Sequence, residues 1–307
     1  MRTFQLPLLG TMIFVLLAGT GGAVIAQADD PVVESPVSVT FYHTADIHEH
    51  GKSLSRIAGY VESRRSGDPN VLFVDSGDWF NNGDLTGLDT RGEAITAMLG
   101  ASGYDAMIPG NHEYSFGTGR LAELIDRFAL PVVLANVTWP EEMEPEHALP
   151  YRIFDLDGLT VAIIGTMTSF VGPEYAMQEA DDLLERFPIE ESIGDLVAML
   201  DERADIVVLL THEGSGADSQ LAKAFPQIDI IFGGHSHDMF RSLVVADGTD
   251  TIVQHSGANG STFGELTVTW DGDQIVGSEL QVVPVSRQLP VSVAVEEIRD
   301  KYVAQAQ

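Results

Sequence analysis

Nine histidines and a surplus of carboxylates are the groups in this sequence that could do chemistry, and there is no cysteine. Thiolate metal sites, cysteine nucleophiles and disulfides are therefore excluded together. The polar groups collect behind short apolar runs at five places. His43-Thr44-Ala45-Asp46-Ile47-His48 follows residues 37–42, and Asp75-Ser76-Gly77-Asp78 follows 70–74. Gly110-Asn111-His112-Glu113 follows 104–108, Thr211-His212-Glu213 follows 206–210, and Gly233-Gly234-His235-Ser236-His237 follows 228–232. Oxygen and imidazole donors of this kind suit hard or borderline divalent cations, and a carboxylate can bridge two of them.

Each fragment taken alone has an ordinary structural explanation, such as a capped loop or a buried histidine. All five in succession do not. Asp46-x-His48 is expected to put both side chains on one side of an extended segment. Asp46, His48 and His237 can then form one site and Asn111, His212 and His235 the other, with Asp78 between them. Two divalent ions and two aspartates leave about two net positive charges, which suits a phosphate dianion, and ions ~3.5–4 Å apart can activate a water and clamp an in-line displacement. His112 is left over, placed to stabilise reacting phosphoryl oxygens or to protonate a leaving alkoxide. His255, behind another apolar run, is a further candidate for substrate contact. His43 reads as a structural hydrogen-bonding group and His147 as surface, while His50, Asn81, Asn82 and Arg120 are assigned no role.

The elements that must position these groups are legible as alternating apolar runs and amphipathic segments. Strands are expected at 37–42, 70–74, 104–108, 131–135, 160–164, 206–210 and 228–232, and helices at 54–65 and 91–99, the latter ended by Gly100. Continuous apolar strands suit a sheet covered on both faces, and ligands in α/β sheets gather at the carboxyl ends of strands. From residue 241 the pattern changes to mostly antiparallel strands at 242–245, 251–253, 264–270 and 278–283, with turns at Asp247-Gly248 and Asp271-Gly272. Residues 293–307 read as a helix with no evident partner.

The chain has 307 residues, enough for a substantial core. A net charge of −30 argues against binding to a nucleic-acid polymer. The acids are scattered rather than grouped as calcium loops, so they read as a solvated coat. Residues 1–28, with Arg2, an apolar run at 6–18 and Ala26-Gln27-Ala28, have the pattern of a cleavable secretory signal. The apolar run is shorter than the roughly 20 residues a membrane span needs. A periplasmic or secreted protein with no stable membrane span after cleavage is expected.

Together these motifs resemble the calcineurin-like metallophosphoesterases, in particular the secreted bacterial 5′-nucleotidase branch, over nearly the whole chain after His43. The resemblance implies an α/β fold of the four-layer αββα sandwich type, spanning about 29–285 and followed by a C-terminal helix at 286–307. It implies metal ligation by Asp46, His48, Asp78, Asn111, His212, His235 and His237, with His112 catalytic and Asn111 and His112 also touching substrate. The cofactor would be two divalent ions, with zinc, manganese and iron undistinguished. The reaction would be hydrolysis of phosphate esters, most simply nucleoside 5′-monophosphates, by a metal-activated water. Phosphodiester or cyclic-nucleotide hydrolysis and a non-catalytic metal- or phosphate-binding module are the alternatives.

Three features depart from the family pattern. Ser115 stands where an aspartate usually pairs with the catalytic histidine. Ala45 and Glu49 replace Asn and Gly around the first ligand pair, and Glu49 is expected to add negative charge near the metals. The C-terminal substrate domain of the 5′-nucleotidases does not follow the terminal helix in this sequence, so a separate specificity domain or partner is a further expectation.

Overall fold

The computed structural model describes residues 36–168, 183–246 and 249–306; residues 1–28, read as a secretory signal, and the turn expected at Asp247-Gly248 lie outside them. The first half runs β1 (Val37–Thr44), α1 (Gly51–Arg65), β2 (Val71–Asp75), α2 (Glu93–Ala101), β3 (Ala106–Met107) and α3 (Thr118–Arg127). There follow β4 (Val137–Thr138), β5 (Tyr151–Leu156), β6 (Leu159–Gly165), β7 (Glu185–Arg186), α4 (Ile189–Ser192), α5 (Gly194–Asp201), β8 (Ile206–Thr211), α6 (Ser215–Ala224) and β9 (Ile230–Gly233). The chain closes with β10 (Met239–Ala246), β11 (Thr249–Ser256), β12 (Thr262–Trp270), β13 (Ile275–Pro284) and α7 (Val293–Gln305).

Among the described residues these strands form a five-stranded sheet, β13-β12-β1-β2-β3, a six-stranded sheet, β10-β11-β9-β8-β6-β5, and the small pair β4-β7. The layering follows from the two-residue period of strand side chains. In β2, Leu72 and Val74 join one apolar cluster while Val71 and Phe73 join another. In β8, Ile206, Val208 and Leu210 face the first of these clusters and Val207 and Leu209 a third. The shared cluster, with Val39, Phe41, Ile163 and Phe232, lies between the two sheets. The second lies under α1, α2, α3 and α7, and the third under α4, α5 and α6. Three apolar interfaces separate four layers, which is the αββα sandwich expected from the resemblance.

Several expectations on the elements change. The first ligand segment is not extended, because β1 ends at Thr44. Residues 131–135 make only isolated bridges, Val132 with Met107 and Val133 with Leu149. Helix α2 passes through Gly100 to Ala101. The C-terminal strands divide between the sheets: β11 runs parallel to β9 and antiparallel to β10, while β12 runs antiparallel to both β1 and β13. Alternating burial identifies a strand but not the sheet edge it joins.

Helix α7 does have partners. Val295 is buried in the cluster under α1 and α2, Tyr302 Oη donates to Glu93 Oε1 at 3.0 Å, and Arg299 pairs with Asp84 at 3.3 Å. Ser292 caps the helix and its N–H donates to Ser55 O at 2.8 Å. Among the described residues no helix is long and apolar enough to cross a membrane.

Candidate metal centre

The parallel strands of both sheets end on one side, and the chemistry collects there. Asp46 and His48 follow β1, Asp78 follows β2 and Asn111 follows β3. His212 follows β8, and His235 and His237 follow β9. Backbone bonds extend the β1–β2 pairing into the loops: Asp46 N donates to Gly77 O (2.8 Å) and His48 N to Asp78 O (2.9 Å). Asp46, His48, Asp78, His235 and His237 all have positive φ, between 49° and 73°. Left-handed backbone is costly for such residues and persists only where the surroundings impose it. Here left-handed turns, rather than strand alternation, aim Asp46 and His48 at the same place.

Two donor groups result. Asp46, His48, Asp78 and His237 form one, and Asp78, His212 and His235 the other; within each, one donor atom per residue lies within 4.8 Å of all the rest. His48 Nε2 lies 3.1 Å from His237 Nε2, and His237 Nε2 lies 3.4 Å from Asp46 Oδ1. His212 Nε2 faces Asp78 Oδ2 at 3.1 Å and Asp46 Oδ1 at 4.0 Å. Asn111 Oδ1 reaches His235 Nδ1 at 2.9 Å, which brings the amide into the second group. All seven expected ligand positions therefore converge, four from one sheet and three from the other.

The remaining nitrogens of two ligands are tied to the backbone: His48 Nδ1 to Phe80 O (3.1 Å) and His212 Nδ1 to Ser76 O (2.5 Å). This anchoring fixes the ring and leaves Nε2 facing inward, as in metal-ligating histidines. His212 Nε2 is buried without a well-directed hydrogen bond, and Asn111 Nδ2 is likewise buried without a partner among the described residues. A Cβ on Gly110 would collide with Asp78 Oδ1 and lie 2.7 Å from His212 Nε2. The donor set, the orphaned nitrogen and this tight cradle fit divalent cations.

The protonation balance points the same way. Burial pushes Asp46 up to about 7, His212 pulling against it. Burial also works against ionised Asp78, but the neighbouring His212 charge holds it below the ordinary carboxylate range. His212 is pushed up to about 10, because Asp78 and Asp46 outweigh its burial. His212 Nε2 thus lies between two carboxyl groups, in the position where a cation would neutralise them. Burial lowers His48 to about 4 and lowers His235 as well, keeping their lone pairs free for a metal.

The remaining candidates separate clearly. His112 is partly exposed at the rim, its Nε2 3.9 Å from Asp78 Oδ2 and its N–H donating to Asp78 Oδ1 at 2.9 Å. Glu113 is buried. Its carboxylate accepts four backbone N–H bonds, from Asp78 (3.0 Å), Trp79 (2.7 Å), Phe80 (3.0 Å) and Gly110 (2.6 Å), and so welds the β2 and β3 loops together. Burial and the Asp78 charge push Glu113 up to about 8, against those donors. Glu49 is also buried, its Oε2 accepting from Thr86 Oγ1 at 2.5 Å.

His255 is buried, with Nε2 2.7 Å from Asp218 Oδ2 and Nδ1 3.4 Å from Ser236 Oγ. It supports the His235–His237 loop from behind, in place of the substrate contact expected for it. His43 is buried between Ser76 Oγ (3.0 Å) and Ser256 Oγ (2.5 Å), and His147 pairs with Asp126 at 3.0 Å. The sequence reading missed Glu113 and Asp218 as supports, since carboxylates that brace loops carry no spacing signal of their own.

A sandwich of two packed sheets delivering two donor groups around one shared aspartate defines a metallophosphoesterase scaffold. The family description "calcineurin-like phosphoesterase" matches residues 39–239, and the chain belongs to that family. It is 27% identical over 292 residues to the trifunctional nucleotide phosphoesterase protein YfkN of Bacillus subtilis (strain 168), covering 83% of this chain and 20% of that protein. It is 26% identical over 286 residues to the 5′-nucleotidase of Diplobatis ommata, covering 80% of this chain and 48% of that one. The chain thus spans less than half the length of these curated relatives. The crystal structure of a 5′-nucleotidase precursor from Thermus thermophilus superposes with a TM-score of 0.75 at 26% identity, covering 88% of this chain and 59% of that chain.

Proposed function

We propose that this protein is an exported metal-dependent phosphomonoesterase whose substrates are nucleoside 5′-monophosphates. The observation that carries this reading is the sharing of Asp78 by two adjoining donor groups. Asp46, His48 and His237 would complete one position, and Asn111, His212 and His235 the other. Two divalent ions held there supply Lewis acidity toward phosphoryl oxygens and lower the pKa of a water. The protein supplies the rest. The unpartnered Asn111 Nδ2 is available to a phosphoryl oxygen, and His112 at the rim is available to the leaving oxygen. The names of the relatives support a nucleotide, and residues 1–28 support export.

The test is phosphate release from nucleoside monophosphates, sugar phosphates and an aryl phosphodiester, using protein stripped of metal and reloaded with manganese or zinc. Metal-dependent turnover preferring one nucleotide is expected. Turnover of the diester alone overturns the monoester assignment, and no turnover with two ions bound overturns catalysis. Amino-terminal sequencing of the exported protein, expected to begin at Asp29, tests the leader.

A further inference from the structure

Two departures from the family pattern, Ser115 and Glu49, meet at one residue. Asn81 Nδ2 lies 3.1 Å from His112 Nδ1 and 2.9 Å from Ser115 Oγ. His112 and Ser115 belong to one 3₁₀ turn, His112–Phe116, in which residues three apart eclipse, so one amide can reach both. On its other side the Asn81 backbone N–H favours the ionised Glu49 carboxylate, which accepts from Thr86 Oγ1. Thr86 Oγ1 in turn accepts from Gly83 N at 2.9 Å. Glu49 therefore grips the loop that carries Asn81. Asn81 and Asn82 have φ of 65° and 66°, a conformation that asparagine accepts more readily than most residues.

We propose that Asn81 is the positioning residue for His112, donating its amide hydrogen to Nδ1 and thereby holding the imidazole with its Nε2–H turned toward the metal centre. This rests on the phosphoesterase reading above. A carboxylate at position 115 would accept a hydrogen bond from Nδ1–H; the Asn81 amide, anchored by Ser115 and with Glu49 gripping its loop, donates one to Nδ1 instead. His112 then meets the substrate as a hydrogen-bond donor through Nε2. Esters with good leaving groups, such as aryl phosphates, should depend on this contact less than alkyl phosphates and nucleotides do.

The experiment combines nitrogen NMR of the His112 ring, assigned by its loss in His112→Asn, with kinetics on an aryl phosphate and a nucleoside monophosphate. Asn81→Ala removes the amide, and the isosteric Asn81→Asp offers Nδ1 only an acceptor. The wild-type protein is expected to carry its ring proton on Nε2, and Asn81→Asp to move it to Nδ1. Asn81→Ala is expected to lower kcat for the nucleotide at least tenfold and for the aryl ester several-fold less, with KM and bound metal unchanged. A wild-type proton on Nδ1 overturns the proposal, as does an Asn81→Ala protein with unchanged kcat or one that loses metal in step with activity. If no phosphate ester is turned over, the functional reading fails, while the ring nitrogens still report on Asn81.

Discussion

Asp78 is the residue on which both donor groups depend, and its neighbours are arranged around that fact. Its backbone N–H is held by Glu113, its Oδ1 accepts from His112 N, and its Oδ2 faces His212. His237 belongs to one group only. Asp78→Ala should therefore lose both ions, whereas His237→Ala should retain one, as read by elemental analysis of the purified proteins. Turnover in Asp78→Ala should fall by more than the roughly 10–100-fold that losing a ligand's supporting partner costs. At this scale the sequence was most informative: residue type and position behind a strand were enough to pick out seven side chains that converge on one place, with His112 at its rim. It did not reveal that Glu49 is held by Thr86 or that Glu113 is spent on backbone N–H groups. Those directions come from loops packed against other loops, about which local spacing says nothing.

Strands carry the site at one end and a different device at the other. Asp105, Asp205 and Asp229 each immediately precede a parallel strand or its first residue, and each accepts a backbone N–H from the neighbouring strand. Phe73 N reaches Asp105 Oδ2 at 2.7 Å, Thr160 N reaches Asp205 Oδ2 at 2.7 Å, and Val207 N reaches Asp229 Oδ2 at 2.8 Å. Burial, with repulsion from Asp201, pushes Asp229 up from 3.8 to about 6 despite the Val207 bond. Between those values the folded state holds a proton that the unfolded state has released, so this residue costs stability as pH rises through the window. Asp229→Asn keeps an acceptor for Val207 without the charge. Its melting temperature should match wild type below pH 3.8 and exceed it increasingly up to about 6, as followed by thermal denaturation across pH.

The strand ends at the site also require close approach. Because a Cβ on Gly110 would enter the space of Asp78 and His212, Gly110→Ala should lose bound metal and turnover together. Gly119→Ala is the control. It lies in α3 with Met143 Sδ 3.8 Å away as its nearest neighbour, and should leave both quantities unchanged while adding about 0.5–1 kcal/mol of helix stability.

The whole molecule sets a field that opposes its own centre. A net charge of −30 repels an approaching phosphate dianion, while two bound cations would attract it only at short range. Raising salt shortens the screening length from about 30 Å at 0.01 M to about 8 Å at 0.15 M, which hides the distant acids more than a buried centre. Over that range kcat/KM for a phosphate monoester should rise, with the change confined to KM, as measured by initial rates. A fall would mean that the local field of the centre governs capture.

The sequence by itself determined the kinds of groups available, the strands that carry them and the order in which they arrive. Each of these depends on local propensity, hydrophobic period and composition. Only the tertiary structure decided that Asp46 and His48 converge through left-handed turns, and that His255 braces a loop rather than reaching substrate. It alone also decided that the C-terminal strands divide between two sheets, that α7 docks on α1 and α2, and that Asn81 meets both His112 and Ser115. The physical reason is the same in each case. A side chain's direction and an edge strand's partner are settled by packing between segments far apart in the chain, and a local pattern is compatible with several such arrangements.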